Sequence, residues 1–260
     1  MFNRILKALK PWPKHPIDTQ YGIETSRRVR RFRLRTGDPA VDSSNVGYVG
    51  SQPSIVRACL DLLPDVRGAA FFDLGCGKGR VLAVATEYPF KSITGIELSP
   101  VVRRSAERNC ARLADRHPER TRAHALQADA TRPSLPDAGM VVLYLYNPFH
   151  GDMVARLIEH LTRNLEAKPG LKLFVVYYNP AQAALFDGAG IFSRYYAAKH
   201  AFSEDERRSS PFGNEYDSVV IWQSRTEPMA APLPGADRKV DIEIPNLAAI
   251  VRYEADGPEG

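Results

Sequence analysis

The run Phe71-Phe72-Asp73-Leu74-Gly75-Cys76-Gly77-Lys78-Gly79-Arg80 is the segment richest in chemistry: an apolar stretch ends in an acid and then in three alternate glycines. Glycine reaches backbone conformations closed to other residues and carries no side chain, so such a loop lets main-chain N–H groups approach a ligand closely. Glu97 ends the next apolar segment, Ile93-Thr94-Gly95-Ile96-Glu97, and lies 97 − 75 = 22 positions beyond Gly75. That is close to the roughly 20 residues at which a carboxylate from a neighbouring strand end reaches ribose hydroxyls. A third segment ends in Gln127-Ala128-Asp129-Ala130. Asp129 there is placed to accept from the exocyclic amine of adenine, while a neighbouring backbone amide, at Ala130, meets a ring nitrogen. The competing pattern is the dinucleotide fingerprint G-x-G-x-x-G, but Arg80 stands where its last glycine belongs.

Groups of this kind need strand ends to hold them side by side. Strand-like segments occur at Ala69–Leu74, Ser92–Ile96, His124–Gln127, Val141–Tyr146 and Leu171–Tyr178, separated by helical stretches after Lys78, Pro100, Gly151 and Pro180. Ser99 and Pro100 read as a cap and first-turn proline. Phe192–Ala201 and Asp217–Ser224 are also strand-like, and the intervening Phe202 to Tyr216 reads as a loop, so these two should pair antiparallel. The expected fold is α/β: a doubly wound, mainly parallel seven-stranded sheet with a terminal antiparallel strand pair. Its ligand should sit beyond the carboxyl ends of the strands, near the switch point.

The flanks are read as extensions: 1–50 an N-terminal arm and basic cover, 51–225 the catalytic domain, 226–260 a proline-punctuated tail. Phe2 to Lys10 fits a short basic amphipathic helix. Arg27, Arg28, Arg30, Arg31, Arg33 and Arg35 form the most basic stretch, either a strip for a polyanion or a solvated cover of the sheet edge. Ser54 to Leu63 has helical spacing and ends at Pro64. In the tail Val240, Ile242 and Ile244 alternate with charged residues, as a short edge strand would.

At 260 residues and 44% hydrophobic content the chain can bury one sizeable core. A charge of +5 from 35 basic and 30 acidic residues is a mixed surface and names no partner. Cys59, Cys76 and Cys110 are widely spaced, with no C-x-x-C pair for zinc or thiol exchange, which fits a reducing, cytoplasmic setting. No apolar run approaches the roughly 18 residues that cross a bilayer.

Asp73-Leu74-Gly75-Cys76-Gly77-Lys78-Gly79, then Glu97, then Asp129, resemble the successive cofactor motifs of class I methyltransferases, over roughly Gln52 to Ser224. The resemblance implies S-adenosylmethionine as cofactor: the glycine loop against its methionine part and ribose, Glu97 on the ribose, Asp129 on adenine, with Cys76 a small loop residue and no nucleophile. Tyr144-Leu145-Tyr146-Asn147-Pro148-Phe149-His150 resembles a shortened Asn-Pro-Pro-Tyr/Phe motif of methyltransferases that act on nitrogen, with one proline missing. It implies that Asn147 and the Pro148 carbonyl position the acceptor and that Phe149 or Tyr146 walls it, with His150 a lesser candidate for taking a proton. Tyr21-Gly22-Ile23-Glu24-Thr25 and Tyr48-Val49-Gly50-Ser51-Gln52 look like a cover over the cofactor, with Tyr48 lining the transfer channel. That layout is similar to small lysine methyltransferases outside the SET class, so a protein lysine is the expected acceptor. The alternatives are a small molecule, a nucleic acid drawn in by the arginines, or a non-catalytic module that binds a partner.

Overall fold

The computed structural model describes residues 14–27, 29, 50–147, 151–210 and 215–240. Its centre is built from the most apolar runs of the chain. Strand β1 (Ala70–Leu74) is buried at every position, as are most of β4 (Gly139–Tyr146) and β5 (Leu171–Tyr178). Strands covered by helices on both faces have no solvent side, so their apolar residues run without alternation. The edge strand β3 (Ala123–Leu126) does alternate, with Ala123 and Ala125 buried and His124 and Leu126 exposed.

With β2 (Ser92–Ile96), β6 (Phe192–Ala201) and β7 (Tyr216–Ser224), the sheet has seven strands in the order β3-β2-β1-β4-β5-β7-β6. The first five are parallel, whereas β7 runs antiparallel to both β5 and β6. Strand order reverses at β1, whose last residue Leu74 faces Ile96 on one side and Leu145 on the other. The carboxyl ends of β2, β1, β4 and β5 therefore line up along one edge, the side on which open α/β sheets take their ligands.

Two apolar layers sandwich the sheet. Helices α1 (Pro16–Tyr21), α2 (Pro53–Asp61), α3 (Arg80–Ala85) and α4 (Pro100–Arg116) bury Ile17, Ile55, Leu82 and Ala106 on one face. Helices α5 (Gly151–Ala167) and α6 (Ala183–Gly188) bury Val154, Leu157, Leu161 and Phe186 on the other. No described helix is long and apolar enough to cross a membrane.

Three local expectations change. The connection between β6 and β7 is not only a loop: Glu204–Ser209 forms helix α7, where Ser203 and Glu206 cap each other's backbone. Six residues are too few for apolar periodicity to show, yet Ser203 followed three positions later by Glu206 is a capping-box signature. Ser99 stands at the start of α4 without a side-chain cap; its Oγ is buried without a partner, and its N–H donates to Glu97 instead. The tail is tied down irregularly through 240, for example by Leu233 N–H on the Tyr195 carbonyl and by paired bonds between Gln223 and Ala230. Val240 packs on the core outside any strand, while Ile242 and Ile244, the basic helix at Phe2–Lys10, and Arg28 and Arg30 to Arg35 lie outside the described residues.

Candidate active site

Three neighbouring parallel strands leave the sheet through left-handed backbone: Gly75 (φ 84°) after β1, Asn147 (φ 39°) after β4 and Asn179 (φ 47°) after β5. Only glycine enters that region freely; asparagine does so at small cost, because its amide can hydrogen-bond locally. At β1 the loop needs bare backbone. The N–H groups of Gly75 and Cys76 both donate to the Ile96 carbonyl, at 2.8 and 3.0 Å, and Gly79 N–H closes a turn on the Cys76 carbonyl at 2.8 Å. Gly77 (φ 54°) and Gly79 (φ 81°) continue the left-handed path into α3. Room for this loop comes from Gly95 in β2, where a Cβ would stand 2.6 Å from Cys76 Sγ and 2.7 Å from Leu82 Cδ1.

Glu97 joins the loop directly. Its carboxylate accepts from Gly77 N–H at 3.1 Å and from Ser99 N–H at 2.8 Å, so the acid at the β2 end is fixed against the glycines. Burial raises its carboxyl above the usual range, although those backbone donors pull the other way. Asp73 is only 3% exposed, its Oδ2 has no hydrogen-bond partner, and burial followed by the Glu97 charge pushes its carboxyl well up. Two acids beside an open-backed loop, one of them short of a donor, form a setting that a cationic, hydroxyl-bearing ligand relieves. The Cys76 thiol is likewise pushed up by burial, which leaves it a packing residue.

Asp129 and Ala130 follow β3, next to β2, whose end is tied across by Glu97 N–H on the Leu126 carbonyl. Asp129 is exposed and its Oδ1 accepts from the N–H and Oγ of Thr131, whereas Ala130 is buried. The sequence-predicted residues Asp73, Gly75, Cys76, Gly77, Gly79 and Glu97 are thus brought into one loop cluster, with Asp129 and Ala130 one strand further along.

On the other side of the switch point stands Asn147, half-buried, its Oδ1 accepting Ala181 N–H at 3.2 Å. Tyr48, Pro148, Phe149 and His150 lie outside the described residues. Beside it, β5 repeats the same tripeptide: Tyr146-Asn147-Pro148 is matched by Tyr178-Asn179-Pro180, with Tyr146 and Tyr178 in register and their rings 4.7 Å apart. Here the side chains are locked. Asn179 Nδ2 donates to Asp217 Oδ1 at 2.7 Å, its Oδ1 accepts Ser218 N–H at 3.0 Å, and Tyr178 OH donates to Asp217 Oδ2 at 2.5 Å. Sequence reading passed over this second turn, though the repeated tripeptide was its signal.

Residues near the N-terminus close over these strand ends. Lys78 Nζ, inside the glycine loop, binds the Glu24 carboxylate at 3.0 Å and also the Arg27 carbonyl. Arg80 is buried and donates to Thr25 Oγ at 2.9 Å and to the carbonyls of Gly50 and Ser51. The Asp18 carboxylate gathers the N–H and hydroxyl groups of both Thr25 and Ser26. Asn109, buried in α4, donates to the carbonyls of Glu24 and Lys78 and accepts Glu24 N–H. Ser51 accepts from Tyr144 OH at 2.8 Å. Residues 24–27 and 50–51 are thus tied to the glycine loop and the start of α3 by the side chains of Lys78 and Arg80.

Residues 71–168 match the family model described as a methyltransferase domain. The match runs from β1 to the end of α5 and takes in the glycine loop, Glu97 and Asn147. The match spans 98 of the 260 residues, so this stretch of the chain is similar to a methyltransferase domain. Among solved structures the chain is similar to an RNA methyltransferase from Salinibacter ruber in complex with S-adenosyl-L-homocysteine, at 19% identity and a TM-score of 0.42, covering 71% of this chain and 99% of that one. It is also similar to an S-adenosylmethionine-dependent methyltransferase from Geobacter sulfurreducens, at 14% identity and a TM-score of 0.44, covering 70% and 94%. A ribosomal protein L11 methylase from Lactobacillus delbrueckii subsp. bulgaricus gives 13% identity and a TM-score of 0.42, covering 65% and 77%. No curated protein sequence matches the chain.

Proposed function

We propose that this chain transfers a methyl group from S-adenosylmethionine to a nitrogen acceptor presented at the carboxyl end of β4. In this reading the Gly75 to Gly79 loop, including Cys76, and the Asp73 carboxylate receive the methionine part. Glu97 holds the ribose, and Asp129, through the oxygen that Thr131 leaves over, receives the adenine amine beside Ala130. The observation that carries it is the 3.1 Å bond from Gly77 N–H to Glu97, because it sets a carboxylate and bare backbone against one another at the switch point.

The bound cofactor supplies an electrophilic methyl on a positively charged sulfur. With the cofactor held there, an acceptor lone pair would form the new N–C bond as the S–C bond breaks, and the nitrogen would then lose a proton to water. Placement of the lone pair behind the methyl does most of the work, so no strong base is required. Asn147 supports that placement: one lone pair of Oδ1 is engaged by Ala181 N–H, and the other is left to accept from an acceptor N–H. Tyr146 walls the same turn. A protein lysine remains one such nitrogen, an expectation resting on Tyr48 and Phe149.

Calorimetry with S-adenosylmethionine and transfer of labelled methyl to separated protein, nucleic-acid and small-molecule pools test this. Glu97→Ala is expected to weaken the cofactor by about 10- to 100-fold, the worth of a charge-assisted hydrogen bond or two. Label found only on oxygen would overturn the nitrogen assignment, and unchanged cofactor affinity in the variant would overturn the role of Glu97.

A further inference from the structure

The two long helices that flank the sheet treat their arginines differently. On α5, Arg156 and Arg163 each face a carboxylate four residues earlier, Asp152 and Glu159. On α4 only Arg103 is answered in this way, by Glu107. Arg104, Arg108, Arg112 and Arg116 are all exposed, and among the described residues none has a carboxylate within ion-pair distance. Spaced four residues apart, they form one slowly spiralling ridge of about 18 Å along the helix. Two acids share the exposed side of the helix: Glu107, which is paired with Arg103, and Asp115 at the far end.

The ridge leads to the cleft. Helix α4 begins directly after Ser99, whose N–H donates to Glu97. The segment from Gly22 to Arg27 lies along α4 in the opposite direction: Gly22 sits against the Arg116 guanidinium, Glu24 is held by Asn109, and the Arg27 carbonyl is bound by Lys78 of the glycine loop. Arg27, exposed, therefore emerges at the same end of the helix as Arg104 and Arg108, beside the loop.

The geometry points to a docking surface for a single-stranded nucleic acid, whose phosphates lie along Arg104, Arg108 and Arg112 and whose base end passes Arg27 into the cleft at Asn147. A line of uncompensated charges suits a regular line of anions, and guanidinium groups match phosphate oxygens in pairs. A single ridge tracks one backbone, and an unpaired strand turns a base into a pocket without the cost of unpairing it from a duplex. This names the polymer that carries the acceptor and so rests on the methyl-transfer reading; the docking itself is measured without cofactor.

Fluorescence anisotropy of mixed-sequence single-stranded RNA and DNA probes, titrated with the full chain at about 50 to 200 mM salt, gives the test. Arg104→Ala/Arg108→Ala/Arg112→Ala is expected to weaken binding at least tenfold at low salt. It should also make the slope of log affinity against log salt shallower by about 2, the release expected from three phosphate contacts on a single strand. Arg156→Ala/Arg163→Ala on α5 should bind as the parent does. Thermal melting and the S-adenosylmethionine titration should stay unchanged in both variants, since all five side chains are exposed. Equal binding by the two variants would overturn the proposal, as would tighter binding of the parent to phosphatidylserine vesicles or to an acidic peptide than to either strand. If the strand binds through the ridge but S-adenosylmethionine gives no heat, the methyl-transfer reading fails while the surface stands.

Discussion

The turns after β4 and β5 share the tripeptide Tyr-Asn-Pro, their tyrosines are in register, and both asparagines adopt left-handed backbone, yet their surroundings differ. Asn179 is fully buried, with both ends of its amide committed to β7 through Asp217 and Ser218. Asn147 is half-buried and, among the described residues, makes one side-chain bond, to Ala181 N–H, which also has the Asn179 carbonyl as acceptor at 2.8 Å. The same local solution thus has two surroundings: at β5 both ends of the amide are tied to the sheet, and at β4 only its oxygen is engaged among the described residues. Gly75 makes the third turn of the set with no side chain at all, as a loop that must admit a ligand to its backbone requires.

Replacing each asparagine by glycine keeps the left-handed backbone available and removes only the amide, so it separates the two roles. Asn179→Gly leaves the buried Ser218 N–H without its acceptor and removes a donor to Asp217, and should cost about 3 kcal/mol in chemical denaturation. Asn147→Gly should cost about 1 kcal/mol or less, but should lower methyl transfer by about 100-fold, the scale of a misplaced acceptor. Equal stability losses would erase the distinction between a locking turn and a presenting one. Full activity in Asn147→Gly would remove the acceptor role from β4.

The glycine loop extends the comparison to β1. In Gly95→Ala the new methyl meets Cys76 from the neighbouring strand at 2.6 Å from Sγ, and the contact is with a side chain held inside the loop. A loss of about 2 kcal/mol is expected from overpacking, with weaker S-adenosylmethionine binding as the loop is displaced. Cys76→Gly in the same chain removes Sγ and Cβ, leaves the Leu82 methyl at 2.7 Å, and should recover part of both. Were the double variant no better than the sum of the single ones, Gly95 and Cys76 would not be coupled, and the loop would owe its position to something else.

The features legible in the sequence were those with local signals. Seven strands and the glycine loop follow from apolar runs, turn residues and Asp73 to Gly79, and Glu97 follows from its spacing to Gly75. What escaped depends on who covers whom. Nothing near Asn179 announces that Asp217, 38 residues later, returns on an antiparallel strand to bind it. Gly95 looks like a residue that weakens a strand until Cys76 is seen against it. Glu24, Thr25 and Asp18 are ordinary polar residues in sequence, and become a clasp only because Lys78, Arg80 and Asn109 face them across the fold.

Beside that clasp, His15 gives the cover a pH dependence. His15 Nδ1 accepts Ile17 N–H at the start of α1, and Nε2 lies 3.3 Å from Gln52 Oε1; the backbone N–H of Gln52 in turn points at Tyr178 OH, at 3.5 Å. The first bond requires an unprotonated Nδ1. Burial, then the Arg80 charge, lowers the imidazole from its ordinary value to about 4, against smaller opposing effects of Gln52, Glu206 and Asp18. Because the folded value lies below the unfolded one, the unfolded chain takes up the proton first. The contribution to stability is complete above about 6.5, declines as pH falls, and is gone once the pH is below about 4. Between pH 7 and pH 5 the parent should lose on the order of 1 kcal/mol through this group. In His15→Asn, which keeps an acceptor for Ile17 N–H and does not titrate, that part of the slope should vanish from thermal melts across the same range. An unchanged slope would mean that folding does not lower the His15 pKa, and that the cover over Tyr178 owes nothing to an unprotonated imidazole.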